Sequence, residues 1–165
     1  MALRLKVHHW PSRLAVGALV LDSGLGKRAA DEQAAARLHS FASSAYPFMK
    51  LLDARTFTKL LSYGEVTLGA ALLLPFVPAG VAGLGLTAFS AGLVGMYLRT
   101  PGMRQQGSLR PTEQGLALAQ DVWMLGIGLG FVVEELGRMD RLVRKSKPAA
   151  GVGQLARTGA ACSPR

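Results

Sequence analysis

The sequence predicts an all-α fold, in the form of an integral membrane four-helix bundle with an interfacial amphipathic segment between its first two helices. The first observation is a long apolar run, because no residue from Phe76 through Leu98 is charged. A helix of about 20 such residues crosses a hydrocarbon layer of roughly 30 Å and satisfies its own backbone polar groups. The second observation is that half of the residues (50%) are hydrophobic. The third is that the basic residues, which give the net charge of +9, lie mainly in tails and loops beside apolar runs.

These features narrow the classes of function. The sequence has no module that combines basic and aromatic residues, so we expect no nucleic acid as a partner. We assign the basic residues to the headgroups of the lipid bilayer instead. Cys162 is the only cysteine, and a single thiol provides neither an intrachain disulfide nor a dithiol redox pair.

Residues 1–10 form a short basic segment that ends in two histidines and a tryptophan. Trp10 beside Pro11 is typical of a membrane interface at the start of a helix. The apolar run that follows predicts the first transmembrane helix over about residues 11–27. A cleaved secretory signal is the alternative. Retention is favoured because Asp22 directly follows the apolar stretch and no clear small-x-small cleavage site is visible.

The segment 29–60 is predicted to lie along the membrane surface. Its first part, from Asp31 through His39, favours helix by residue propensity and begins with acids, which suit a helix N-terminus. Tyr46 and Pro47 interrupt that helix. Apolar residues then recur among basic ones, which fits an interfacial helix or a cap on the bundle. These apolar residues are Phe48, Leu51, Leu52 and Phe57.

The next uncharged block is too long for one crossing, and Pro75 and Pro78 divide it. It predicts a helical hairpin over about residues 61–77 and 78–98. A polar connector rich in turn residues follows. The apolar stretch after it predicts the fourth transmembrane helix over about residues 115–136.

These elements make one transmembrane domain over residues 11–136. Residues 137–165 carry too little apolar surface to fold and are predicted to be a basic, largely disordered tail. Four crossings put both termini on one side of the membrane, and the basic cluster after the fourth helix favours the cytoplasmic side. The charge difference is small, because loops on the opposite side hold almost as many basic residues.

Small residues at a spacing of four predict the faces through which the membrane helices pack. Gly126 and Gly130 form a G-x-x-x-G motif, and the third helix repeats this spacing. Such residues let membrane helices approach closely, so we expect these faces to point into the bundle, with an oligomer as the alternative. The predicted packing residues are Gly83, Gly92, Gly95, Gly126 and Gly130.

Three acids inside or at the rims of the predicted helices are the candidate site. Asp22, Glu65 and Asp121 reach the same side of an up-and-down bundle, and Arg99 arrives there after the third helix. Charged groups at this depth are costly unless they pair, meet water or become neutral, so convergence would indicate a functional polar cluster. The structural alternative is that each acid lies near the interface, paired with a basic residue such as Lys27 or Arg99.

Other chemistry is sparse in the sequence. His8 and His9 are adjacent while His39 is remote, so no spacing typical of metal ligands is present. We therefore predict neither a metal nor a bound cofactor. Glu134 and Glu135 are predicted to lie at the opposite rim, in a solvated role among basic residues.

Two stretches of the sequence resemble the DoxX-like family of small four-helix membrane proteins. The run Arg13-Leu-Ala-Val-Gly-Ala-Leu-Val-Leu-Asp-Ser-Gly-Leu-Gly-Lys27 is similar to the R-x-x-x-G…x-G-x-x-K opening helix of that family. Gly64-Glu65, followed by Gly69-Ala-Ala-Leu-Leu-Leu, resembles its second helix. The resemblance implies a compact four-helix bundle in the cytoplasmic membrane of a prokaryote, in which Glu65 matches the glutamate of the family's second helix.

The resemblance also implies classes of function. Members of the family include subunits of an archaeal thiosulfate:quinone oxidoreductase and a mycobacterial protein tied to thiol and superoxide defence. We expect a noncatalytic membrane subunit or scaffold of a redox or envelope-associated complex, with a membrane or peripheral protein as partner. The alternatives are a quinone-linked oxidoreductase subunit with proton-handling acids, which alone would bind quinone, and a small permease.

Overall fold

The chain folds into helices joined by short connections, which confirms the all-α prediction. A computed structural model describes residues 7–105, 107–119 and 121–146, without the side chains of residues 7, 145 and 146. Within these ranges there is no β-strand, and extended pairing is limited to an isolated bridge between Arg104 and Pro111. The helices are α1 (Trp10–Arg28), α2 (Glu32–Ala45), α3 (Ala54–Leu73), α4 (Ala79–Arg99), α5 (Leu116–Ala119) and α6 (Asp121–Ser146), with 3-10 helices at Val7–His9 and Pro47–Leu51.

Two aspartates set the starts of α2 and α3. The carboxylate of Asp31 accepts a hydrogen bond from the backbone N–H of Ala34 at 2.7 Å, and that of Asp53 accepts one from Thr56 at 2.9 Å. Each bond satisfies a donor that the first turn of a helix leaves without a partner. The cap at Asp53 explains why α3 begins upstream of the predicted range of 61–77. The C-terminal part of the segment predicted to be interfacial, 29–60, therefore forms the first turns of α3.

The C-terminal end of the fold corrects a second boundary. Helix α6 continues to Ser146, so residues 137–146, predicted as part of a disordered tail, are helical. An exposed ion pair between Arg144 and Asp140, 3.1 Å apart at the i,i+4 spacing, supports these last turns. The rest of the predicted tail, 147–165, and the first part of the basic segment, 1–6, lie outside the described residues.

The helices pack as two pairs. Helix α1 lies along α3, helix α4 lies along α6, and α2 covers part of α3. Buried apolar side chains from both pairs meet in one core, which holds the pairs together. They are Val16, Val20, Leu72, Ala82, Leu86 and Phe131.

Glycines make both pairs close, but they are only partly the predicted ones. A Cβ at Gly83 would lie 2.6 Å from the Cβ of Phe131, so this glycine is needed where α4 crosses α6. On α6 the matching position is Gly128, where a Cβ would lie 2.8 Å from the backbone nitrogen of Thr87. Gly126 and Gly130 instead lie on the exposed face of α6, where a Cβ would meet no neighbouring residue within 4 Å. The face of α6 that packs against α4 therefore carries Gly128 and not the predicted G-x-x-x-G motif, which lies about half a turn of helix away.

The other two predicted glycines border α2 and not a second long helix. Gly95 contacts the hydroxyl of Tyr46, and a Cβ at Gly92 would meet no neighbouring residue within 4 Å. The hydroxyl of Tyr46 donates a hydrogen bond to the backbone oxygen of Gly92 at 2.9 Å. The side chain of Tyr46, which directly follows α2, therefore packs against α4 at these glycines.

Two helices in the described part of the chain are long and apolar enough to cross a membrane. They are Ala79–Arg99 and the stretch Leu116–Arg144, which joins α5 to α6. Only 28% and 12% of their most apolar windows are buried in the fold. Their apolar side chains therefore point mostly away from the protein, unlike those of a core helix.

Candidate functional site

The candidate site is a cavity of about 420 Å³ that is bordered by α1, α2, α3, α4 and the α5–α6 stretch. We call it the Glu65 cavity. Its walls are mostly apolar, and its charged lining residues are Lys27, Glu65 and Asp121. An apolar cavity with a few convergent polar groups is the usual form of a small-molecule site. The apolar walls include Leu19, Phe41, Phe57, Phe89, Leu93 and Met96.

Glu65 is buried, with only 3% of its surface exposed. The ammonium of Lys27 compensates its charge, because Lys27 Nζ donates to Glu65 Oε2 at 2.8 Å. The same ammonium donates to Ser23 Oγ at 2.7 Å. A buried carboxylate is tolerated when it is paired and hydrogen-bonded in this way. The pair therefore links α1 to α3 as well as lining the cavity.

Small residues of α1 and α3 let this ion pair form. A Cβ at Gly24 would lie 2.8 Å from the backbone nitrogen of Val66, so the backbones are nearly in contact beside Glu65. Ser62, one turn before Glu65, donates from Oγ to the backbone oxygen of Gly24 at 2.7 Å. Lys27 lies on the face of α1 that carries Gly24, which turns its side chain toward α3.

Asp121, the first residue of α6, lines the same cavity and is partly buried. The fold thus brings together two of the three predicted acids, Glu65 and Asp121, together with Lys27. A cation and two carboxylates along one apolar cavity can orient a polar headgroup or exchange protons with it.

The fold does not bring the other two predicted residues to the Glu65 cavity. Asp22 is exposed on α1 and is not among the cavity's lining residues. Two residues along a helix turn the side chain by about 200°, so Asp22 points away when Val20 faces the core. Arg99 is also exposed, and its guanidinium lies 5.0 Å from the ring centroid of Tyr46. Its contact is a cation–π interaction at the α2 side of α4.

Sequence reasoning missed the role of Arg13 in the structure. This side chain is buried with 8% exposure, and it donates to the backbone oxygens of Leu72 at 2.7 Å and Ala71 at 2.9 Å. It also donates to those of Leu74 at 2.9 Å and Val77 at 3.1 Å. The carbonyls of Ala71 and Leu72 lie in the last turn of α3 and those of Leu74 and Val77 follow it. No further helical turn supplies donors there, and the helix dipole favours a cation. Two features of the sequence could have indicated this contact. Arg13 is the only charged residue at the start of the first apolar run, and Pro75 and Pro78 end the apolar run of α3, which leaves carbonyls there without helical donors.

Comparison of the chain with protein-family models, with curated proteins and with solved structures finds no match.

Proposed function

We propose that the chain is an integral, multi-pass membrane protein in which α1, α3, α4 and the α5–α6 stretch form a four-helix bundle. In this proposal α2 and the second 3-10 helix lie at the interface. The low burial of the two span-capable helices supports it, because their outer faces carry large apolar side chains that water would not stabilise. Strongly exposed examples on these two helices are Val81, Leu84, Trp123 and Val133.

The internal charges of α1 and α3 are compatible with the same environment. Arg13 is surrounded by backbone carbonyl acceptors, and Lys27 is paired with Glu65. Charged groups within membrane helices are tolerated when they face the bundle interior and have partners there. Helices α1 and α3 can therefore present apolar outer faces while their charges are neutralised inside.

We propose further that the protein is a noncatalytic membrane subunit or scaffold of a redox or envelope-associated complex. The Lys27–Glu65 ion pair carries this proposal, because it uses the most deeply buried acid of the candidate cluster to hold two helices together. The resemblance to DoxX-like proteins supports the same role, with a protein partner in the cytoplasmic membrane of a prokaryote. Both termini would then lie on the cytoplasmic side, and the protein could also assemble with further copies.

Purification from native membranes tests this role. The full chain is isolated in a mild detergent, copurifying proteins are identified by mass spectrometry, and bound chromophores are detected by absorbance. We expect stoichiometric recovery of a membrane or peripheral protein. Recovery of the chain alone, under conditions that preserve other membrane complexes of the same cells, would contradict the scaffold role.

A second candidate function is supported by the position of Asp121 in the Glu65 cavity. We propose as the alternative that the cavity binds the headgroup of a quinone, with Glu65 and Asp121 exchanging protons and Lys27 next to the bound oxygen. The electrons would come from a partner protein. Binding of a short-chain quinone by the purified protein tests this, and we expect Asp121→Asn to weaken it at least about tenfold. Asp22→Asn is the matched control, because Asp22 does not line the cavity. If Asp121→Asn binds the quinone as tightly as this control does, the Glu65 cavity is excluded as the quinone site.

A further inference from the structure

A second cluster of polar side chains lies at the start of α1, away from the Glu65 cavity. It consists of His8 and His9, in the 3-10 turn before α1, and Glu134 of α6. The His8 Nε2 atom lies 3.4 Å from the carboxylate of Glu134, and His9 Nε2 makes a short contact with the same carboxylate. One ligand atom from each of the three residues can be chosen so that all lie within 4.8 Å of one another. The fold therefore supplies the third ligand that the sequence spacing of the histidines lacked.

The separation between His8 and Glu134 fits the coordination shell of a small divalent cation. Bonds of about 2.0–2.1 Å to imidazole nitrogen and carboxylate oxygen place tetrahedral ligand atoms about 3.4 Å apart. The distance from His8 to Glu134 is 3.4 Å. The contact of His9 with the carboxylate of Glu134 is shorter than this spacing. Binding of one cation by all three residues therefore requires a rotation of the flexible glutamate side chain.

The surroundings of the three residues make this cluster both ordered and accessible. His9 is buried with 7% exposure, and its ring centroid lies 4.8 Å from that of the core residue Phe131. His8 is open to solvent, with 67% of its side chain exposed. The buried imidazole is held in place by packing, and the exposed imidazole of His8 is accessible to an ion from solvent.

We propose that His8, His9 and Glu134 bind a divalent transition metal of the zinc class, with water in the remaining position. Two imidazole nitrogens and one carboxylate oxygen suit Zn²⁺, and they are poor ligands for Ca²⁺ or Mg²⁺, which take oxygen. The ion connects the segment before α1 to α6. It thereby joins the α1–α3 pair to the α4–α6 pair at the end of the bundle opposite Asp121.

Titration of the purified full chain with Zn²⁺ in detergent tests this site. The protein carries an affinity tag without histidine, is stripped of metal with a chelator, and is followed by calorimetry. We expect one Zn²⁺ per chain and at least a tenfold loss of affinity in both His8→Ala and Glu134→Gln. Co²⁺ in place of Zn²⁺ should give visible absorbance bands of a four-coordinate complex that the same variants lose.

Matched controls separate this site from nonspecific binding. Glu135→Gln removes the neighbouring carboxylate, which pairs with Arg138 at 2.8 Å, and should bind Zn²⁺ like the unaltered protein. His8 is exposed, so His8→Ala should keep the helical circular dichroism signal. Absence of a one-to-one binding phase overturns the proposal. It is equally overturned if Zn²⁺ binds with the same affinity to Glu134→Gln and to Glu135→Gln.

Discussion

Lys27 Nζ lies 2.8 Å from Glu65 Oε2, and this ion pair bridges α1 and α3 at a point where the helix backbones nearly touch. The side chains are shielded from solvent, with 18% of Lys27 and 4% of Glu65 exposed. Loss of one partner leaves the other charge buried without compensation. Loss of both partners also removes the free-energy cost of taking the two charges out of water.

We therefore expect Glu65→Leu and Lys27→Met each to lower the free energy of unfolding by about 3 kcal/mol, and the double variant to recover most of that loss. Thermal unfolding in detergent, followed by circular dichroism, gives the three values. Arg144→Ala removes an exposed ion pair with Asp140 and should change stability by less than about 1 kcal/mol. Additive effects of the two single changes would show that the pair is not coupled.

Substitution of Arg13 should lower the stability of the fold as much as loss of one partner of the Lys27–Glu65 ion pair. Arg13→Met leaves several carbonyls at the end of α3 without donors, and we expect a loss of about 3 kcal/mol or more. Arg13→Lys keeps the charge but not the planar fork, so it should recover only part of that loss. Arg28→Met is the matched control on the same helix. It removes a cation–π contact with Tyr63 at 5.1 Å and should cost at most about 1 kcal/mol.

The glycines of the α1–α3 contact should tolerate substitution less well than those of the exposed face of α6. A Cβ at Gly69 would lie 2.6 Å from the backbone nitrogen of Leu21, so Gly69→Ala must push the helices apart. We expect a loss of about 1–3 kcal/mol. Gly126→Ala meets open space and should stabilise the helix by about 0.5–1 kcal/mol. A similar loss in both variants would contradict the described faces of α6.

The start of α3 should respond to acidic pH. Hydrogen bonds from the backbone and side chain of Thr56 hold the pKa of the Asp53 carboxyl below its ordinary value of 3.8. A carboxyl with a lowered pKa in the folded state stabilises the protein above its ordinary pKa, and this contribution is lost as the pH falls below it. We expect the first turn of α3 to exchange its amide hydrogens faster as the pH falls from 5 to 3, after correction for intrinsic exchange.

Asp53→Asn is the comparison for that experiment, because its amide oxygen caps the helix without a titrating charge. The variant should show no such change between pH 5 and pH 3. Asp22→Asn changes an exposed acid in the middle of α1, away from the start of α3, and should respond to pH like the unaltered protein. An acid response in Asp53→Asn equal to that of the unaltered protein would assign the effect to another group.

Much of the helical layout was predictable, because apolar runs and prolines mark it directly. Pro75 and Pro78 separate α3 from α4 near the predicted boundary. The start of α3 was harder, since the cap at Asp53 precedes the uncharged block on which the prediction rested. The end of α6 was placed too early, because charged residues after Leu136 suggested a tail although they suit an exposed helix.

The candidate site was predictable only in part. Glu65 could be singled out as an acid in an apolar context, and Lys27 was considered as a partner. The rotation of Asp22 away from the core depends on which face of α1 meets α3, and that is set by packing at Gly24 and Gly69. The approach of Glu134 to the two histidines joins distant parts of the chain, and no local pattern encodes such a contact.

In the proposed membrane bundle, the hydrogen bonds of Arg13 to the end of α3 would also constrain how the protein is synthesised. When α1 leaves the ribosome, the carbonyls of Ala71 and Leu72 have not yet been made, so the guanidinium has no acceptors within the bilayer. Its cost there favours holding α1 at the translocon or the membrane surface until α3 emerges. We therefore expect α1 and α3 to enter the membrane together, and a nascent chain stopped before Ala71 to leave α1 extractable by alkaline carbonate.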